Sequence, residues 1–62
     1  IVVENAPLGV HAGAAAGCYT VAINSGPLDD SVLLNEGANI LFPTIRAFAD
    51  NWECVLENLS KR

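Results

Sequence analysis

The opening stretch, Ile1-Val2-Val3-Glu4-Asn5-Ala6-Pro7, leaves this chain few folds to choose from. Three branched apolar residues with no polar alternation read as a strand, Ile1 to Val3, covered on both faces, as strands of parallel sheets are. Pro7 suits the first turn of a helix, where its missing N–H costs nothing. An Ala/Gly-rich segment follows and runs to Gly17, the expected left-handed stop. Strand, short loop and tightly packed helix make the first half of a βαβ unit. Ligands of open α/β sheets bind beyond the carboxyl ends of the strands. Glu4 and Asn5 lie at that end and are therefore the prime site candidates.

The helix after Pro7 is expected to reach about Ala16. Leu8, Ala12, Ala15 and Ala16 share one face, taken as the buried one. Gly9 and Gly13 each cost roughly 1 kcal/mol relative to Ala in a helix, so their presence argues for close approach of backbone to sheet. Ala6 falls at the N-cap and offers no acceptor. The Asn5 side chain, a ligand or water is left to serve the free N–H groups. His11 points away from Leu8 and Ala12. It has no second ligand at the helical i+3 or i+4 spacing, so it reads as an exposed residue rather than a metal ligand or base.

Further along, Tyr19 to Ile23 reads as a second strand, and Ser25-Gly26-Pro27 as a turn. Asp29 and Asp30 precede the apolar run Val32-Leu33-Leu34, which favours helix capping over a second metal site. That helix spans about Ser31 to Glu36 and stops at Gly37. Asn39 to Phe42 gives a third strand, ended by Pro43. Thr44 caps a last helix whose apolar residues, Ile45, Phe48, Ala49, Trp52, Val55, Leu56 and Leu59, follow a helical stripe of about four turns. Trp52 is assigned to the core on that stripe rather than to substrate stacking. Glu57 and Lys61 make an outer i,i+4 pair. The order β-α-β-α-β-α predicts an α/β fold, a portion of a Rossmann-like parallel sheet with right-handed crossovers.

Sixty-two residues bound the chain to one domain, and a marginal one. A net charge of -4, with only Arg46, Lys61 and Arg62 basic, argues against nucleic acid. No apolar run approaches the roughly 20 residues of a membrane span. Cys18 and Cys54 lack CxxC or Cys/His ligand spacing, so both are expected as reduced, buried thiols of a cytoplasmic protein. There is no GxxxxGK[ST] loop, no GxGxxG and no GxSxG elbow. On the bare residues, Glu4 reads as a helix-start anion and Asn5 as a turn residue. Adjacent oxygen-bearing side chains at a strand end can also both reach one hard cation such as Mg²⁺, the less favoured reading on the residues alone.

An ordered set of these residues resembles a known family. Glu4-Asn5-Ala6-Pro7, followed by Gly9-Val10 and the Ala-rich helix, is similar to the fourth motif of haloacid-dehalogenase-like phosphatases and phosphomutases. Ser25-Gly26-Pro27-Leu28 and Gly37-Ala38-Asn39 extend the similarity over nearly the whole chain. The resemblance reverses the reading of Glu4 and Asn5: it implies that they are metal residues for Mg²⁺. The family usually carries Asp at the second position, and Asn5 keeps the carbonyl oxygen without the charge. It often carries Ser where Ala6 stands.

The resemblance also implies that residues 1–62 are the C-terminal part of a haloacid-dehalogenase-like core. The chain starts directly in a strand, in keeping with that expectation. The nucleophile-bearing half and the cap domain would then lie elsewhere in the protein, since no DxD motif occurs here. The expected activity of the complete enzyme is Mg²⁺-dependent phosphatase action on a small phosphorylated metabolite through an aspartyl-phosphate, with no catalytic residue among these 62 and no activity from them alone. A phosphosugar mutase of the β-phosphoglucomutase kind, or a non-catalytic α/β module, stands as the alternative. The expected partners are that metabolite and the N-terminal part of the same enzyme, with no nucleic acid and no membrane.

Overall fold

A computed structural model describes all residues, Ile1 to Arg62. Strand β1 (Val2–Glu4) leads into helix α1 (Pro7–Ala15), strand β2 (Thr20–Ile23) into helix α2 (Asp30–Asn35), and strand β3 (Ile40–Phe42) into helices α3 (Ile45–Asp50) and α4 (Trp52–Ser60). The three strands form one parallel sheet in the order β1-β2-β3. Val3 pairs with Val21, and Ala22 with Leu41. The ladder continues past β3's start, where the Thr20 N–H donates to Asn39 Oδ1 at 2.8 Å and the Asn39 N–H to the Thr20 carbonyl at 2.9 Å. The expected α/β architecture is therefore present.

A sheet that steps one way with one crossover hand keeps both connecting helices on one face. Val10 of α1 and Leu33 of α2 are fully buried there against Ala22, flanked by Ala38 and Leu41. Strand alternation sends Val21 and Ile23 to the other face. On that side Val55 of α4 completes a second core with Tyr19, Val21, Ile23 and Phe42, and Phe48 and Leu59 pack at its margin. Phe42, Phe48 and Trp52 make a chain of tilted and edge-on rings at 5.8 and 5.6 Å.

The helix ends follow local chemistry. Gly17 (φ 77°) and Gly37 (φ 112°) take the left-handed conformation that stops α1 and α2. A side chain at Gly37 would also collide with the Ala14 Cβ at 2.6 Å. Thr44 caps α3, its Oγ1 accepting from the Ala47 N–H at 3.0 Å. Lys61 and Glu57 pair at 3.1 Å, as their spacing predicts.

Five expectations need correction. The last helix is two helices: at Asn51 (φ -107°, ψ 20°) the chain leaves helical geometry, and the Asn51 amide donates to the Ala47 carbonyl at 2.8 Å. Trp52 is not core; it is 42% exposed, because its stripe is wider than three strands can cover. Leu8, 80% exposed, is not on the buried face of α1, which is formed by Val10 and Gly13. Val3 is 39% exposed, so β1 is covered on one face only. Both cysteines are free as expected, but neither is fully buried: Cys18 is half-buried and Cys54 exposed. No helix is long and apolar enough to cross a membrane.

Candidate functional site

Glu4 is the last residue of β1 and shares its sheet face with Val2, the face that α1 covers. Two glycines of α1 make room for that face. A Cβ placed on Gly13 would lie 2.9 Å from Thr20 Oγ1 and 3.1 Å from Val2 Cγ1. One placed on Gly9 would lie 2.5 Å from both Cδ and Oε2 of Glu4. The Glu4 carboxylate thus rests directly over the first turn of α1, where N–H groups are unpaired and the helix dipole favours an anion. Ala6 at the N-cap supplies no side-chain acceptor, as its residue type predicts, and Asn5 does not bond back to the helix in its place.

Asn5 is exposed just beyond the strand. Together with Glu4 it borders an open hollow of about 190 Å³ whose other walls are Val3, Ile23, Ser25 and Ile45. Ile23 ends β2, Ser25 follows it, and Ile45 begins α3 after β3. The hollow therefore sits at the carboxyl ends of the parallel strands, where α/β sheets bind ligands. Sequence reading found Glu4 and Asn5 from their place at a strand end. It did not find Ser25 or Ile45, because their approach depends on strand order, which no local pattern reports.

The loop that carries Ser25 is tied down by Asn24. Its side-chain amide donates to the Leu28 carbonyl at 2.7 Å and to Asp30 Oδ1 at 2.8 Å, while its backbone N–H donates to the Phe42 carbonyl at 2.9 Å. Asp29 occupies the N-cap position of α2 without a side-chain cap bond, and Asp30 serves the loop rather than the cap. His11 lies away from the hollow on the outer surface and faces Glu36 at 3.4 Å, joining α1 to α2.

The donors at the hollow are a carboxylate, a side-chain amide and a hydroxyl. This hard-oxygen set suits Mg²⁺, which binds through one or two carboxylates and keeps several waters. It does not suit a soft or fully protein-bound ion, and no group of three His, Cys, Asp or Glu residues converges anywhere in the chain.

No family model and no curated protein matches the chain. A solved structure does, described as "Putative beta-phosphoglucomutase from Bacteroides vulgatus". The two are 61% identical and superpose with a TM-score of 0.84, over 90% of this chain and 23% of that one. The chain thus spans less than a quarter of the length of the solved protein it matches. With that identity, a common fold and the ordered motif that begins at Glu4, the chain belongs to the haloacid-dehalogenase-like superfamily.

Proposed function

We propose that these 62 residues serve a Mg²⁺-dependent phosphatase that acts on a small phosphorylated metabolite such as a sugar phosphate. The observation that supports this reading is the Glu4 carboxylate at the carboxyl end of β1, opening with Asn5 and Ser25 onto one hollow. Glu4 and Asn5 hold the metal in this reading, Glu4 through its charge and Asn5 through its neutral carbonyl oxygen. When bound, Mg²⁺ supplies the charge neutralisation that phosphoryl transfer depends on. Ser25 offers a hydroxyl to the ligand's polar groups, and Val3, Ile23 and Ile45 wall the same space from the other side. The nucleophilic aspartate, the aspartyl-phosphate it forms and the cap that selects the substrate belong to parts of the protein outside these residues. The open edge of β1 is the seat for the neighbouring strand.

A phosphosugar mutase is the second reading, and the description of the solved relative favours it. Both use the same half-reaction and differ in whether water or the sugar receives the phosphoryl group. Incubating the full-length protein with α- and β-hexose 1-phosphates and Mg²⁺, followed by ³¹P NMR, separates them. Inorganic phosphate as the product supports the phosphatase, and a new sugar phosphate supports the mutase. Neither product, with Mg²⁺ present and a broader panel of phosphate monoesters tried, contradicts both.

A further inference from the structure

Gly9 and Gly13 both lie on the sheet side of α1, yet they face different things. Every near neighbour of a Cβ at Gly13 is a sheet residue, Thr20 or Val2, so that glycine permits close packing. The three nearest atoms to a Cβ at Gly9 all belong to the Glu4 side chain: Cδ and Oε2 at 2.5 Å and Cγ at 3.0 Å. None of these three nearest atoms belongs to the backbone. The obstacle is the free end of a flexible side chain, so the fold itself tolerates a methyl group there. The carboxylate does not, and must rotate away from the helix start.

We propose that Gly9 is a positioning residue: its missing side chain sets where the Glu4 carboxylate stands at the hollow. The inference rests on the reading of Glu4 as a metal residue. It explains why a poor helix former occupies the first turn of α1, where Ala would be the better choice. It also separates two roles that usually travel together. Filling the space favours the helix while displacing the carboxylate.

The test uses the full-length protein, with Mg²⁺ affinity measured by calorimetry and thermal unfolding followed without metal. Gly9→Ala is expected to melt at the parent's temperature or above it. It is also expected to weaken Mg²⁺ binding by about tenfold or more, the range typical for residues that orient a metal ligand. In metal-free protein the Glu4 ¹³Cδ resonance is expected to move. Placed on a Glu4→Gln background, Gly9→Ala is expected to add no further loss, because its effect runs through that carboxylate. Replacing Glu4 by the shorter Asp alongside Gly9→Ala is expected to recover part of the affinity.

If Gly9→Ala leaves affinity unchanged while Glu4→Gln weakens it, Glu4 stands as a metal residue and the role of Gly9 falls. An equal loss on the Glu4→Gln background overturns the inference as well, since Gly9 then acts by another route. A Gly9→Ala protein that fails to fold shows a packing role and also overturns it. If neither Gly9→Ala nor Glu4→Gln changes the affinity, the reading of Glu4 fails, and the inference with it.

Discussion

Asn24 and Asp30 close the β2–α2 loop on themselves: the Asn24 amide donates to the Asp30 carboxylate at 2.8 Å, and the same nitrogen reaches the Leu28 carbonyl at 2.7 Å. Those bonds hold the turn that brings Ser25 to the hollow. Asn24→Ala removes both, at a net cost of about 0.5–1.5 kcal/mol for each bond. The denaturation midpoint is expected to fall and the amides of Leu28 and Asp30 to exchange faster. An unchanged midpoint together with unchanged exchange shows that the loop is held by other means.

The edge of β1 is expected to exchange unevenly. The Val2 N–H donates to the Tyr19 carbonyl at 2.8 Å. Parallel ladders use alternate residues of each strand, so the Val3 N–H and carbonyl point to the unpaired side. Amide exchange on the isolated 62-residue chain is expected to show Val3 far less protected than Val2. Strong protection of Val3 in a monomer contradicts this arrangement. Protection gained at Val3 in the full-length protein is the expected mark of a further strand beside β1.

Leu33 and Trp52 are expected to differ in weight, against what residue size alone suggests. Leu33 of α2 is fully buried against α1 and the sheet, and Leu33→Ala at such a site costs about 2–5 kcal/mol. A domain of this length has only about 3–9 kcal/mol of stability, so the isolated chain is expected to lose its cooperative melt. Trp52 is 42% exposed and keeps an edge-on contact with Phe48 at 5.6 Å. Trp52→Ala is expected to lower the melting temperature without abolishing folding. The reverse order of effects in circular dichroism melts contradicts the packing described.

The cysteines offer a chemical check on α4. Cys54 is exposed and Cys18 half-buried. A thiol reagent is expected to modify Cys54 in the native chain well before Cys18. Equal rates under native conditions, or faster modification of Cys18, contradict the register of α4.

What could be read from the residues and what could not divides by the range of the cause. Gly17, Gly37 and Thr44 announced helix ends because stops and caps are local chemistry. The parallel sheet followed from alternating β and α signals, and the crossovers have a fixed hand. The buried face of α1 was not legible: its residues are small or apolar nearly all the way round, so the spacing puts Leu8 in the core where the fold puts Val10. The break at Asn51 was hidden because it leaves the apolar spacing from Ile45 to Leu59 intact. Trp52 was misplaced because the width of the sheet, not the helix pattern, decides which part of a stripe is covered. At the site, Glu4 and Asn5 were visible at a strand end. The Gly9–Glu4 contact and the arrival of Ser25 and Ile45 required the folded chain.

Glu4 and Asn5, as the proposed metal residues, carry the most weight in the function proposed above. Glu4→Gln and Asn5→Asp are nearly isosteric, so neither is expected to change the fold. They move charge in opposite directions beside a cation that favours anionic oxygen. The deciding measurement is a Mg²⁺ titration of turnover in the full-length protein and in both variants. A higher half-saturating Mg²⁺ concentration is expected for Glu4→Gln and a lower one for Asn5→Asp, with both variants folded. If both variants keep the parent's Mg²⁺ dependence, Glu4 and Asn5 are structural and the metal is held elsewhere.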